Sequence, residues 1–422
     1  MLTSLKINNC YIYNNEIEFS MRANMHYKRF SSNVINVNNI NVLKTAMIIG
    51  PNNSGKTNFI RVLSAIKGIM LNQKQRLNKN LFVDNPICGF EIGFLEEQKE
   101  YVFEVKYNSK TQEYIYEKFS IISYDTYKNK KCEDLFIRDT ENENYACCDS
   151  ALSLAMKVSA KNNILIHLLD VSQFPLLLKA KSTITSFASK IDILNMNNIP
   201  IKKTIEMLKM PNDTKQKVVN FILNSDLSLD DYRYLTDDEL KLKIKINENE
   251  EEMKPQENAL SVSASFMEML HLSSVYKGIA VPSIVFDSTG TKKIAAIASY
   301  VIDALEKGRI LIVDELDNSL HFRLTRAIIA LFNNDLNTKA QLICTVHDVS
   351  LLDCQKLFRK EQIWFAHKDR ENAYLYSLAN FTSEKDKIRD TTALIEKYKL
   401  GMFGALPEPD LFKSLIEVQE NV

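Results

Sequence analysis

The sequence predicts an α/β fold: a mixed, mainly parallel core sheet, an antiparallel β lobe beside it, and an α-helical insertion. Three patterns carry this expectation. The apolar run Ala46-Met47-Ile48-Ile49 enters a Gly-x-x-x-x-Gly-Lys-Thr stretch at Gly50, Gly55, Lys56 and Thr57, and an amphipathic helix is expected from about Lys56 to Met70. Two later apolar runs, 310–313 and 340–346, end in polar or charged residues and alternate with helical patterns, as parallel strands do. Between Gly89 and Ile122, Phe90–Phe94, Tyr101–Val105 and Tyr114–Tyr116 are separated by polar turns, which reads as a small antiparallel sheet.

Taken in order, residues 1–45 start with alternating apolar positions, Leu5, Ile7, Cys10 and Tyr11, then Ile17 and Phe19, and read as strands that feed the next one. That next strand delivers a phosphate loop. Gly50 and Gly55 let backbone N–H groups turn inward, Lys56 reaches β- and γ-phosphates, and the Thr57 hydroxyl suits Mg²⁺. The helix N-terminus adds partial positive charge behind the anion. The candidate nucleotide-contacting residues are Gly50, Asn52, Asn53, Ser54, Gly55, Lys56, Thr57 and Asn58, so ATP and Mg²⁺ are the expected ligands of a P-loop NTPase. The polar, basic stretch 71–86 reads as a solvated loop, with nucleic-acid contact as the alternative.

From about 150 to 270 the pattern becomes helical: 153–160, 164–171, 182–191, 201–208 and 215–224 show 3.6-residue periodicity, punctuated by Pro175, Pro200 and Pro211. No heptad is sustained, so a compact insertion is expected and not a long coiled coil. The acidic stretch Asn247–Asn258 is expected to be a loop. The expected divisions are 1–148 and 266–380 for the two halves of the core unit, 149–265 for the insertion, and 381–422 for a tail.

The second half holds the remaining candidate chemistry. Ser288 and Gly290 open a helix and make a second anion loop. Arg309–Val313 is a strand ending in Asp314 and Glu315. Asp314 is placed to hold Mg²⁺, and Glu315 to orient or deprotonate an attacking water. Asp317 follows. His347 ends the next core strand, where it can face a γ-phosphate; a metal pair of His347 with Asp348 is the other reading. The runs 362–365 and 373–376 look like edge strands.

Composition narrows the class. The chain has 422 residues, 45% hydrophobic and 25% charged, with a formal net charge of zero, so there is no general attraction to nucleic acid. Seven cysteines without a Cys-x-x-Cys pair, and no apolar leader at Met1–Ile7, point to a reducing cytoplasmic setting. No run of 18 apolar residues suggests a membrane span. Glycine is scarce: 10 residues, where ordinary usage gives roughly 30, so those that remain mark backbone needs.

The chain resembles the ABC-type ATPases of the SMC/RecF/OLD group, and most closely the AbiL-like and RloA-like abortive-infection ATPases of bacterial defence systems. The residues behind this are GPNNSGKT at 50–57, DSTGTKK at 287–293, ILIVDELDNSLH at 310–321, QLICTVHD at 341–348, QIWF at 362–365 and YKLGMFGALP at 398–407. The resemblance implies an ABC-type head and a slow ATPase. Two copies would sandwich ATP between the 50–57 loop of one and Ser288–Gly290 of the other. Lys56, Glu315 and His347 would serve catalysis, Thr57 and Asp314 the metal, and Asp317 the nucleotide side. It also implies a glutamine ahead of the insertion, for which Gln98 and Gln112 are candidates by region only. Too few residues follow His347 for the Toprim nuclease that OLD-type relatives carry, so the resemblance implies a sensor or regulator of a separate effector, a nuclease or a toxin. The alternative is an SMC- or RecF-like ATPase acting directly on DNA through basic clusters at Lys128–Lys131 and Lys202–Lys203. A scaffold that binds ATP only for assembly is a third reading, against which Glu315 argues.

Overall fold

A computed structural model describes residues 1–422 apart from 25–26, 28, 125–129, 211–212, 226–227, 237, 240–267, 354–356, 370–371, 382–385, 387–392 and 407–422. The acidic stretch Asn247–Asn258 and the pair Lys128 and Asn129 lie outside the described residues. In chain order, β1 (Leu2–Asn8), β2 (Ile17–Ser20), the hairpin β3 (Val34–Val37) and β4 (Ile40–Leu43), and β5 (Thr45–Ile49) lead to α1 (Lys56–Met70). There follow β6 (Ile87–Glu96), β7 (Lys99–Asn108), β8 (Glu113–Tyr124), β9 (Lys130–Asp139) and β10 (Asn144–Cys147). Then come α2 (Ser150–Val158), α3 (Leu165–Leu168), α4 (Pro175–Ser189) and β11 (Ile191–Asn195). The next group is α5 (Lys202–Lys209), α6 (Asp213–Leu223), β12 (Asp231–Tyr234), β13 (Leu272–Tyr276), β14 (Ile279–Pro282), α7 (Ser283–Phe286) and α8 (Thr289–Lys307). The last is β15 (Ile310–Asp314), α9 (Phe322–Asn333), β16 (Gln341–Val346), β17 (Ile363–Lys368), β18 (Ala373–Ser377) and α10 (Leu394–Lys399).

Six strands make the core sheet in the order β11-β15-β16-β5-β17-β18. All neighbours are parallel except β18, which runs antiparallel to β17. Every residue of β5, β15 and β16 is buried, which is why these segments read as unbroken apolar runs and not as alternation. The register Val313↔Cys344 and Cys344↔Met47 brings the C-terminal ends of β15, β16 and β5 to one edge, and the functional residues stand there.

Two strand expectations are corrected. β17 is not at an edge: it lies between β5 and β18, because Ile363–Phe365 extend the parallel ladder of β5. Within 149–265, expected to be a helical insertion, Ile191–Asn195 is a core strand paired along its length with β15. The expected helix over 182–191 stops at Ser189 as part of α4, which packs against the P-loop helix and the lobe.

The lobe is a seven-stranded antiparallel sheet, β10-β9-β8-β7-β6-β1-β2. Its inner face is aromatic: Phe94 stacks on Phe187 of α4 at 4.2 Å and Tyr101 on Phe119 at 5.4 Å. The same apolar core takes in Phe59, Val62, Leu63 and Ile66 of α1, so the lobe and the core sheet clamp the P-loop helix between them. On the other side, α5, α6 and β12–β14 pack against α8 around Ile205, Leu208, Val218, Ile222, Ala295 and Ala298. Near the C-terminus, Phe403 stacks on Phe365 at 4.6 Å and Tyr398 Oη donates to Ala405 O at 2.6 Å, so the 398–406 motif is a plug under β17 and β18.

Candidate nucleotide site

The P-loop starts where β5 ends. A Cβ on Gly50 would lie 2.3 Å from the carbonyl oxygen of Ala366 in β17, a clash with backbone that cannot swing away. Gly55 has φ +109°, and a Cβ there would meet Ile12 and Tyr13 inside 3 Å. Tyr13 Oη, fully buried, donates to Gly55 O at 3.0 Å and fixes the loop from the lobe side. Asn53 also takes a left-handed backbone, φ 63°, and is exposed with Asn52, while Thr57 and Asn58 are half-buried on the first turn of α1.

Lys56 is buried, 5% exposed, and its Nζ donates to Gly50 O and Pro51 O. Burial lowers its pKa to about 8, against the pull of the Asp314, Asp317 and Glu315 carboxylates. A charge held that weakly is sensitive to pH. Above about 8 the folded lysine loses its proton, whereas bound phosphate favours the ammonium. Nucleotide affinity is therefore expected to fall as pH rises through about 8, with net proton uptake on binding. Titration calorimetry in two buffers of different ionisation enthalpy measures that uptake, and identical heats in both would refute it.

At the end of β15, Asp314 is 2% exposed. Its Oδ1 accepts from Thr345 Oγ1 at 2.7 Å and its Oδ2 from Asn195 Nδ2 at 3.1 Å. Thr345 Oγ1 also accepts from the backbone N–H of Glu315 at 2.7 Å, so one hydroxyl ties both carboxylate residues to β16. Glu315 adopts φ 58°, a left-handed backbone that an L side chain enters only at a cost of about 1–3 kcal/mol. The turn sends its side chain to the surface edge. There Oε2 accepts from Asn197 Nδ2 at 2.8 Å and Asn318 Nδ2 at 3.1 Å, and Oε1 lies 3.7 Å from His347 Nε2. The hydrogen bond from Asn318 first, then that from Asn197 and the charge of His347, hold this carboxyl below the usual carboxylate range.

Asp317, expected on the nucleotide side, turns inward: its Oδ2 accepts from the backbone N–H of His347 at 2.7 Å and of Asp348 at 2.6 Å. It thereby pins the loop carrying His347 to the turn after Glu315. Ser288 is the N-cap of α8, accepting from Thr291 N at 3.1 Å, and is exposed beside Gly290. Its loop opens on a cavity of about 540 Å³ lined by Asn224, Ser225, Gly290, Ser319, His321 and Arg323 among others, with no residue of the 50–57 loop in the wall. The P-loop and the Ser288 loop are thus separate surfaces of one chain.

The residues present fit a nucleotide with Mg²⁺. Ser54 Oγ and Asp317 Oδ1 are buried polar atoms with no partner among the described residues, both beside the phosphate loop or the carboxylates that act on Lys56. Among the described residues no group of three or more His, Cys, Asp or Glu stands together as a metal centre, which bears on the His347–Asp348 pair. Mg²⁺ in phosphate sites needs no such group, since one or two protein ligands and phosphate oxygens suffice.

Sequence reasoning missed Asn195, Asn197, Asn318 and Thr345. The signal for the first two was the run Leu194–Asn198 directly after an apolar stretch, which marks a strand end. Neither glutamine candidate is at the site. Gln98 sits in the β6–β7 turn, where its carbonyl accepts from Asn38, and Gln112 in the β7–β8 turn is bonded to Arg76. The sheet end where a polar side chain meets Asp314 and Glu315 is occupied by asparagines instead.

A parallel sheet carrying a P-loop on one strand and paired carboxylates on a strand two positions away, with an antiparallel lobe against the P-loop helix, defines a P-loop nucleotide-binding protein with an ABC-type ATPase head. The chain belongs to the family described as "AAA domain, putative AbiEii toxin, Type IV TA system", whose profile matches residues 46–353, well over half of the chain. By family it is therefore an AAA domain of the AbiEii type. Among solved structures it is similar to an Smc head bound to the C-winged helix domain of ScpA, at 12% identity and TM-score 0.42, covering 92% of this chain and 99% of that one. The SMC head domain from Thermotoga maritima gives 11%, 0.41, 89% and 98%. An Smc head with an extended coiled coil, bound to the C-terminal domain of ScpA from Pyrococcus furiosus, gives 10%, 0.41, 94% and 99%. Comparison with curated proteins finds no match. Among the described residues no helix is long and apolar enough to cross a membrane.

Proposed function

We propose that this chain is the ATP-hydrolysing regulator of a bacterial anti-phage, abortive-infection system, and that it controls a separate effector protein such as a nuclease or toxin. The observation that carries the ATPase reading is the separation of two anion loops on one chain, the 50–57 loop beside Asp314 and Glu315, and the Ser288 loop on a cavity of its own. A second copy resolves the incompleteness: its Ser288 and Gly290 close over the nucleotide held by the first. The family's description, an AAA domain and putative toxin of a type IV TA system, supports a role in such a system.

Backbone N–H groups of the loop and Lys56 hold the terminal phosphates. Thr57 and Asp314 would hold Mg²⁺, which would neutralise phosphate charge. Glu315 accepts the proton of the attacking water through Oε1, the oxygen that carries no carboxamide bond. His347, tied to Asp317 through its backbone, faces the phosphate from the neighbouring strand. The insertion packs directly on α8, with Thr204 Oγ1 donating to Ala295 O at 3.0 Å, so it follows any movement of the Ser288 loop and can report it to the effector.

A mixing experiment tests the sandwich. Lys56→Ala and Ser288→Arg are each expected to lose ATP turnover. Mixed in equal amounts, they form heterodimers in which one site has an intact P-loop and an intact Ser288 loop, so activity returns. No recovery from two folded variants would mean that each copy works alone.

A further inference from the structure

Lys293, in the second turn of α8, reaches back to the turn after Glu315. Its Nζ donates to Asn318 Oδ1 at 2.8 Å, Asn318 O at 3.2 Å and Ser319 Oγ at 3.1 Å. An ammonium only donates, so it fixes which end of the Asn318 carboxamide faces it, and the Nδ2 end must point the other way. That Nδ2 donates to Glu315 Oε2 at 3.1 Å and to Asn197 Oδ1 at 2.9 Å, and Asn197 Nδ2 completes the ring on the same Oε2 at 2.8 Å. The first turn of α8 lies close to this region as well, since a Cβ on Gly290 would be 3.0 Å from Ser319 O. The network therefore begins on the helix that Ser288 caps and ends on one oxygen of Glu315.

We infer that Lys293 and Asn318 are positioning residues: they fix Glu315 Oε2 from the Ser288 helix of the same chain and leave Oε1 free to accept the proton. The inference rests on Glu315 being the proton acceptor proposed above. It adds a direction of control. The Ser288 loop serves the nucleotide of the second copy, while Lys293, five residues on, sets the base for the nucleotide of its own copy. Engagement of one site is thus coupled to the geometry of the other through three side chains, Lys293, Asn318 and Asn197. Asn197 is the first polar residue past β11 and leads into α5, so whatever moves α5 acts on the same ring.

The test uses the full chain. Lys293→Met keeps the apolar stem and removes the three donated bonds. It is expected to lower kcat by about 10-fold, short of the ~10²–10⁴-fold for loss of the base, with KM for ATP unchanged. Lys293→Arg, which can still donate to Asn318, retains most of the rate. Asn318→Asp, the same shape without the donor to Glu315 Oε2, also lowers kcat and leaves KM for ATP unchanged. Unchanged kcat in Lys293→Met overturns the inference, and so does a rate loss that Lys293→Arg fails to rescue or that comes with a raised KM for ATP. Glu315→Gln is the control that separates the two claims. If it turns over ATP normally, the base assignment fails first. If it is inactive while Lys293→Met behaves as wild type, only the positioning role fails.

Discussion

Glu315→Gln is expected to bind ATP and Mg²⁺ as the wild type does and to hydrolyse ATP about 10²–10⁴-fold more slowly. The substitution keeps the shape and replaces a proton acceptor with a carboxamide that cannot take a proton at neutral pH. The phosphate-binding parts are elsewhere: Lys56 lies under the loop, and Asp314 has its own hydrogen bonds to Thr345 and Asn195. Binding should therefore survive, and bound ATP should accumulate and hold the copies together. Single-turnover rates, nucleotide retention on a desalting column and the mass in solution with and without ATP read all three. Retained ATP on a chain that stays monomeric would leave the base in place and remove the sandwich. Hydrolysis at the wild-type rate would remove the base. The left-handed backbone of Glu315 sharpens the expectation, since the chain tolerates about 1–3 kcal/mol of strain to aim that side chain at the sheet edge.

The parts of the site that could be read from the sequence are those whose chemistry is written in consecutive residues. The 50–57 loop is one, because glycine spacing and a lysine at a helix start have few other uses. The strands ending at Asp314 and Val346 are others, since burial on both faces makes their apolar runs continuous. β11 was hidden because Asp192 interrupts Ile191–Leu194, and only the fold shows that this carboxylate is bound by Arg309, 2.9 Å from its NH2, at the start of β15. Asn195 and Asn197 could be read as a strand end but not as site residues, because their role depends on the parallel pairing Asn195↔Asp314, between residues 119 apart in sequence. Asp317 was assigned from its neighbours in the motif, yet its bonds run to backbone N–H groups of the His347 loop, a contact that no spacing rule expresses. The interior place of β17 follows from its pairing with β5, and strand order in a sheet is a non-local property.

The largest expected effect on stability lies far from the nucleotide, at Arg138 and Glu117. These are directly opposed on β9 and β8, and their side chains are 1% and 0% exposed. Arg138 forms a charge-assisted bond to Glu117, and also donates to Asn163 O and Ala160 O, each at 2.9 Å, and to Ser159 Oγ at 3.2 Å. Glu117 accepts from Leu165 N at 2.8 Å through its other oxygen. The pair thus fastens the chain between α2 and α3 to the lobe, under the aromatic core that clamps α1. Arg138→Met leaves a carboxylate in an apolar interior, at an expected cost of about 3–5 kcal/mol. Burial already raises the Glu117 pKa, with Arg138 pulling it back, and the variant loses that pull. A carboxyl whose folded pKa is raised binds more protons folded than unfolded, so stability rises as pH falls. The variant should therefore lose least in mildly acidic buffer and most in mildly alkaline buffer, the reverse of ordinary acid denaturation. Adding Glu117→Leu removes the buried charge and should recover part of the loss. It should not recover all of it, because the N–H of Leu165 is left buried without a partner, at about 1–3 kcal/mol, and the bonds from Arg138 to the carbonyls of Ala160 and Asn163 are not replaced. Urea unfolding followed by the single tryptophan, Trp364, whose ring lies 4.7 Å from Phe19 where lobe and core sheet meet, measures each variant. A double variant as weak as Arg138→Met alone would show that the lost carbonyl bonds, and not the stranded carboxylate, dominate. A single variant within about 1 kcal/mol of wild type would show that water reaches this pair and that the lobe is looser than its packing indicates.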